Sequence, residues 1–437
     1  MCSRKPKLLH VCAGVPLIEH VVRAVAALEP TSLKIVVAAA DEQMQAALQD
    51  CHAELAFQAE PTGTADAVAA GVDALGDVDG TLLVVNGDCP GVRTSTLAFL
   101  VKESVGAAAT VLAVEPIDPS GSGRLLRDGE GNLQGIVEEA DAGDEASTLT
   151  EVNGGVCCFD LSSLRGALPR VDTDNAQSER YLTQVFKLLA DDGAVVRGVS
   201  YGDAEELYGV NSRAELARAE GLLRRRKLRD LMAGGVTVRD PQATYVDVDV
   251  EVGADTTLHP GVTLEGDTRI GEGCEVRSSV RISNSRVGDG VNVFDGSIIE
   301  DSSVGDDANL GPYARLRPGS DIGAGAKVGN FVETKATRLG DNSKASHLSY
   351  LGNARIGNNV NIGAGTITCN YDGAKKYETV IDDGAFIGSN TALVAPVRVG
   401  KNAYVGAGST ITEDVPDRAL GLARGRQVNK LGWAEKD

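Results

Sequence analysis

The hydrophobic pattern of this chain changes character about halfway along. Over residues 7–220 apolar positions alternate between helical and strand-like spacing. Val21 to Leu28 predicts a helix, Leu33 to Ala38 a strand, Ala65 to Leu75 a helix and Thr81 to Val85 a strand, an alternation that implies an α/β domain. Arg213 to Met232 repeats apolar residues at helical spacing and is closed by Gly234-Gly235, which predicts a connecting helix. From about Val248 the pattern becomes short β-branched segments broken by Gly, Asp and Asn, with an aliphatic residue every sixth position. One run occupies 252, 258, 264, 270, 276 and 282, a second 304, 310, 316, 322 and 328, and a third 387, 393, 399, 405 and 411.

A six-residue period with one inward aliphatic per unit predicts a parallel β-helix, because stacked coils bury a continuous column that no single coil could bury. The period does not specify handedness, and ordinary crossover chirality alone would favour right-handed winding. It fails in two places, which predicts departures from the coil. One is the polar stretch Lys335 to Tyr350; the other runs from Cys369 to Asp383, where Asn370 to Tyr377 reads as an inserted loop. Insertions in a solenoid fall on one face and often carry its binding chemistry. The expected organisation is a domain over 1–212, a linker helix over 213–235 and a β-helix with a C-terminal tail over 236–437.

Composition narrows the function. A net charge of −20 excludes a general nucleic-acid surface. The one basic run, Arg224 to Lys227, lies in the connecting helix near Glu220 and Asp230 and is expected to be a solvated face. Eight cysteines without a C-x-x-C pair or a nearby histidine cluster fit reduced thiols in a cytoplasmic protein. No stretch reaches the ~20 apolar residues of a membrane span, and the first 20 residues lack a signal-peptide core. Aromatic residues make up 4% of the chain, as suits a narrow coil interior.

Of the five histidines, at 10, 20, 52, 259 and 347, only His347 has neighbours suited to acid–base work on a phosphorylated substrate: Lys335, Lys344, Ser349 and Tyr350. By spacing alone it is as readily structural as catalytic.

Four stretches then carry a close resemblance: Gly311 to Gly319 (GPYARLRPG), Val328 to Lys335 (VGNFVETK), Lys344 to Gly352 (KASHLSYLG) and Asn361 to Gly373 (NIGAGTITCNYDG). They resemble the bacterial bifunctional N-acetylglucosamine-1-phosphate uridyltransferase / glucosamine-1-phosphate acetyltransferase family, and the likeness extends from Lys7 to Trp433. It implies a left-handed β-helix that assembles as a homotrimer, with an acetyl-transfer site between neighbouring subunits. His347 would be the base on the glucosamine amine. Arg317 and Lys335 would hold the sugar phosphate, with Tyr350, Asn361 and Lys376 positioning the sugar. Ala364, Asn370, Tyr371, Ser389, Ala407 and Arg424 would line the acetyl-CoA groove, with a backbone N–H near Ala364 as an oxyanion donor.

The first domain resembles the family's Rossmann-like uridyltransferase through QAEPTGT at 58–64, NGD at 86–88, GSGR at 121–124, GIVE at 135–138, EVN at 151–153 and GVN at 209–211. The likeness implies that Gln58, Gly63 and Thr64 contact uracil. Gly123, Glu138 and Asn153 would bind the amino sugar, and Lys7 and Asn86 would belong to the same UDP-N-acetylglucosamine site. Asp88 and Asn211 would hold Mg²⁺ for the attack on UTP. Family members open with an apolar strand and a loop of the form L-A-A-G-x-G-T-R-M, and Met1 falls on the methionine of that motif. Two explanations stand: an internal methionine of a longer gene, or a shortened form. The expectation for the 437-residue chain is retained acetyl transfer with negligible uridyl transfer. Two rivals remain open at this stage. One is a glucose-1-phosphate adenylyl- or thymidylyltransferase with a β-helical tail, the other a non-catalytic β-helix scaffold; neither calls for His347, Lys335 and the Asn370-Tyr371 pair.

Overall fold

In the computed structural model the described residues are all except 50, 52, 61, 117, 145–147 and 435–437, so His52 lies outside them. The chain forms two compact units, Met1–Leu223 and Arg224–Asp437, and the division falls within the helix Arg213–Ala233. Among the described residues no helix is long and apolar enough to cross a membrane.

The first unit is α/β. Its main sheet runs in the order Val196–Ser200, Ala109–Val114, Val152–Asp160, Arg124–Arg127, Leu133–Val137, and Thr81–Val85 pairs with Val152–Asp160. Among its described strands Val196–Ser200 and Ala109–Val114 form the one hydrogen-bonded parallel pair, because the long strand Val152–Asp160 enters between the others, antiparallel to both Thr81–Val85 and Ala109–Val114. Lys34–Ala38 and Glu54–Gln58 pair in parallel as a separate two-stranded sheet. The sequence placed the helices and strands of this unit within a few residues: Leu17–Ala26, Lys34–Ala38, Thr64–Leu75 and Thr81–Val85.

The second unit is a parallel β-helix with three faces, sheets of eleven, ten and nine short strands. A typical coil contributes Thr257–Leu258 to the first face, Thr263–Glu265 to the second and Arg269–Ile270 to the third. Inward residues stack on their own kind one coil later: Leu258 on Val276, Leu264 on Ile282, Ile270 on Val287. Most are wholly buried, including Leu258, Val276, Ile299, Leu310, Leu316 and Leu351. Each buried aliphatic is worth roughly 1.5–3 kcal/mol of transfer free energy, so the column holds the solenoid together. Leu228 and Leu231 of the connecting helix join this core, next to its first coils.

The basic run in that helix differs from expectation. Arg224 stacks 4.1 Å above the Tyr245 ring, and Lys227 donates to the Val248 carbonyl at 2.9 Å. These long side chains lay their stems on the coil and are half-buried rather than freely solvated.

Of the two expected departures from the coil, only one exists. Lys335 to Tyr350 stays in the helix: Lys327 pairs with Lys344, Glu333 with Tyr350, and Arg338 with Arg355. The apparent break has two causes. Coils here close in 17 residues rather than 18, as Ile322 pairs with Leu339. In addition, Thr334 and Ala345 take inward positions that larger aliphatics hold elsewhere, both fully buried. Thr334 satisfies its hydroxyl on Ser320 Oγ at 2.8 Å. The second break is real. Ile356 pairs with Ile381, 25 residues later, so seven residues beyond a normal 18-residue coil are thrown out around 370–378.

Candidate functional site

Four of the residues expected at an acetyl-transfer site come together at the second face. Arg317 follows the strand Arg315–Leu316, Lys335 ends Glu333–Lys335, and Tyr350 begins Tyr350–Gly352 one coil further on. Lys376 reaches them from the inserted loop. The Lys335 ammonium is held below the ordinary lysine value, first by the charge of Lys376 and then by that of Arg317. Arg317 Nη1 donates to Glu333 Oε1 at 2.8 Å, and Glu300 adds a weaker charge at Arg317, so among the described residues the three cations still repel one another at Lys335. A dianion would relieve the repulsion, and the planar guanidinium and compact ammonium suit phosphate oxygens. Tyr350 contributes to the field at Arg317, which places it in the same cluster.

His347 ends the first-face strand Lys344–His347, three residues before Tyr350 across the corner formed by Leu348 and Ser349. Its ring is exposed, and its Nδ1 lies 2.6 Å from Asn330 Oδ1. The other described histidines have structural partners: His10 with Arg213, His20 with the Cys12 carbonyl, and His259 with Glu275.

The proposed acetyl-CoA residues divide into two groups. Ala364, Ser389 and Ala407 follow first-face strands in successive coils: Asn390 N–H donates to the Ala364 carbonyl, Gly408 N–H to the Ser389 carbonyl, and Arg424 Nη1 to the Ala407 carbonyl at 2.7 Å. They form one column of small residues that ends on an arginine. Asn361 points outward on the first face between Lys344 and Phe386. Tyr371 and Lys376 bridge the neck of the inserted loop, and the Tyr371 ring is exposed, its hydroxyl donating to the Gly373 carbonyl. Asn370, in contrast, is buried and donates from Nδ2 to Asn353 Oδ1 at 2.7 Å, while its carbonyl accepts from Tyr377 N–H. Its geometry makes it the anchor of the loop.

In the first unit Lys7, Asp88 and Asn211 come together. The Lys7 ammonium donates to Asp88 Oδ2 at 2.6 Å and to Asn211 Oδ1 at 2.8 Å. One carboxylate oxygen and one carboxamide oxygen therefore aim at a single cation, the donor set a phosphate-bound Mg²⁺ takes from protein. Beside Lys7 an open cleft of about 600 Å³ is lined by residues 1–7 and 40–43. Gln58, Gly63 and Thr64 form a second group: Gln58 Nε2 approaches the Gly63 carbonyl, and Thr64 Oγ1 accepts from Leu182 N–H. Gly63 has φ +153°, and a Cβ there would overlap the Arg180 carbonyl, so only glycine fits. Gly123, Glu138 and Asn153 form a third. Asn153 N–H donates to the Gly123 carbonyl at 2.8 Å, and a Cβ on Gly123 would lie 3.3 Å from Glu138 Oε2. Burial pushes the Glu138 carboxyl above its ordinary value, opposed by the hydrogen bond from Thr183 Oγ1. Asn86 packs against Gly155.

Sequence reading missed Asn330, Glu333 and Asn353. Coil arithmetic could have found them, since each lies 17 residues before a candidate: Asn330 before His347, Glu333 before Tyr350 and Asn353 before Asn370.

Comparison with known proteins agrees with this anatomy. Residues 1–234 match the family described as MobA-like NTP transferase domain, and residues 378–413 match the bacterial transferase hexapeptide (six repeats). The bifunctional protein GlmU of Carboxydothermus hydrogenoformans is 46% identical over 437 residues, covering 100% of this chain and 97% of that protein. That of Geobacillus sp. is 44% identical over 438 residues, covering 100% of this chain and 95% of its relative. The GlmU of Geotalea uraniireducens is 43% identical over 439 residues, with 100% and 96% covered. With identity of this order running through both units, the chain belongs to the GlmU family of bifunctional enzymes, which join a nucleotidyltransferase domain to a hexapeptide acetyltransferase domain.

Proposed function

We propose that the β-helix acetylates glucosamine 1-phosphate from acetyl-CoA on the group formed by Arg317, Lys335, Tyr350, Lys376 and His347. The observation that carries this reading is the cluster of three mutually repelling cations, Arg317, Lys335 and Lys376, beside an exposed histidine. The sugar phosphate docks on Arg317 and Lys335. Tyr350, Asn361 and Lys376 orient the sugar, and His347 takes a proton from the amine as its nitrogen attacks the thioester carbonyl. The C–S bond then breaks and coenzyme A leaves as the thiolate. The thioester lies along the column of Ala364, Ser389, Ala407 and Arg424, with Tyr371 at its edge and Asn370 holding the loop. A backbone N–H near Ala364 faces the developing oxyanion.

In the first unit the same reading gives uridyl transfer from UTP to N-acetylglucosamine 1-phosphate, against the negligible transfer expected from the sequence, because the identity to bifunctional relatives runs through this unit as well. Asp88 and Asn211 would hold Mg²⁺, which neutralises phosphate charge, and Lys7 would then turn its ammonium to the phosphates. Gln58, Gly63 and Thr64 would take the uracil, and Gly123, Glu138 and Asn153 the amino sugar, with Asn86 behind them. A homotrimer is part of this reading. Tyr313, Phe331 and Leu348 stack at one corner of successive coils, at 57%, 57% and 61% exposure, next to His347. Sedimentation at the mass of three chains is the expected result, and a monomer would oppose it.

The deciding experiment is His347→Ala, assayed by coenzyme A thiol release with glucosamine 1-phosphate. Removal of a general base predicts a loss of about 10²–10⁴-fold in kcat with the oligomer intact. Unchanged turnover would exclude His347 as the base.

A further inference from the structure

Asn330 and His347 close neighbouring first-face strands and are cross-strand partners, so their side chains project to the same side of the sheet. Their close approach is built into the backbone. A Cβ on Gly329 would overlap the Ser346 carbonyl oxygen, so the residue before Asn330 must be glycine for the two strands to meet as they do. The carboxamide oxygen then sits 2.6 Å from Nδ1. A carbonyl oxygen only accepts, so Nδ1 carries the ring proton and Nε2 keeps its lone pair.

We propose that Asn330 is a positioning residue for acetyl transfer, whose Oδ1 selects the Nδ1–H tautomer of His347 and so keeps Nε2 free to take the proton of the attacking amine. This inference rests on His347 being the base. The neutral partner has a chemical consequence. A carboxylate in its place would stabilise the imidazolium and retain the proton, whereas a carboxamide fixes the ring and its tautomer without adding charge. The opposite orientation of the amide would donate to Nδ1, place the ring proton on Nε2 and block proton abstraction. The orientation of one amide therefore separates an active from an inactive ring.

The test joins ¹⁵N NMR of the histidine rings to kinetics of the full-length protein. Wild-type His347 is expected as the Nδ1–H tautomer; an Nε2–H ring overturns the proposal without any variant. Asn330→Leu is expected to lower kcat for acetyl transfer about 10²-fold, with KM for both substrates within about threefold, and to lose the single tautomer. Asn330→Asp keeps an acceptor oxygen and is expected to retain the Nδ1–H tautomer in the neutral ring, but its carboxylate should hold the imidazolium to higher pH, so kcat should fall near neutrality and recover as pH rises. An Asn330→Leu protein with wild-type kcat and unchanged tautomer sinks this inference alone. If His347→Ala keeps its activity, the reading of His347 as base falls first and this proposal with it.

Discussion

The two halves of the chain assemble their sites in different ways. In the β-helix, groups that meet lie one coil apart in sequence: Asn330 and His347, Glu333 and Tyr350, Asn353 and Asn370. Rigid parallel pairing fixes their register, and a side chain needs only an outward position to be placed. In the α/β unit, Lys7 meets Asp88 and Asn211 across 81 and 204 residues, and no backbone ladder joins Lys34–Ala38 to the main sheet among the described residues. Site geometry there depends on tertiary packing of separate elements. A solenoid site is therefore hard to distort and easy to damage locally, whereas the α/β site couples to distant changes.

The sharpest way to break that comparison is a cavity in the column. Leu310 is fully buried between Val293 and Val328 of the adjoining coils. Leu310→Ala is expected to cost about 2–5 kcal/mol of β-helix stability, through lost transfer energy and a void between rigid coils that relax poorly. Calorimetry should show the transition of the second unit falling while that of the first stays put. A uniform fall of both would contradict the local character of solenoid stability.

Next in size is a change confined to the acetyl site. Lys335→Ala removes the proposed charge-assisted contact to the sugar phosphate and should lower kcat/KM for glucosamine 1-phosphate by about 10–100-fold. Release of pyrophosphate from UTP and N-acetylglucosamine 1-phosphate should show the same value in the variant and its parent. A parallel loss in both assays would mean that Lys335 supports folding rather than phosphate binding.

The same contrast explains what could be read from the sequence. The coil was legible because one inward aliphatic per six residues is a strong local signal, and it locates Leu258, Val276 and Ile322 directly. It misled at Lys335 to Tyr350, where Thr334 and Ala345 fill inward positions and one residue is dropped from the coil. A strict count sees disorder in the period where the backbone runs on unbroken. The inserted loop was legible because seven extra residues cannot fit in a coil. Asn370 was not, since nothing local says that its side chain turns inward to Asn353. In the α/β unit single elements were visible, but not the antiparallel entry of Val152–Asp160 or the meeting of Lys7 with Asn211, because both are set by long-range packing.

The smallest expected effect lies in the α/β unit and sharpens the comparison from its other side. Glu138, beside Gly123, is withdrawn from water, and burial raises its folded-state value above the ordinary 4.5. A carboxyl with a raised folded value binds its proton more tightly folded than unfolded. Its favourable contribution is complete below the ordinary carboxylate value and is lost as pH rises through the folded one. Glu138→Gln cannot ionise and keeps an acceptor for Thr183 Oγ1, so it should escape that loss. The melting temperature of the first unit, variant minus parent, is expected to grow as pH rises from the ordinary carboxylate range toward neutrality and then to level off. The second unit, which has no part in this titration, should melt alike in both proteins at every pH. Parallel melting curves for the first unit would mean that Thr183 and solvent together already offset the burial of Glu138. The site would then be as tolerant of its surroundings as the outward faces of the coil.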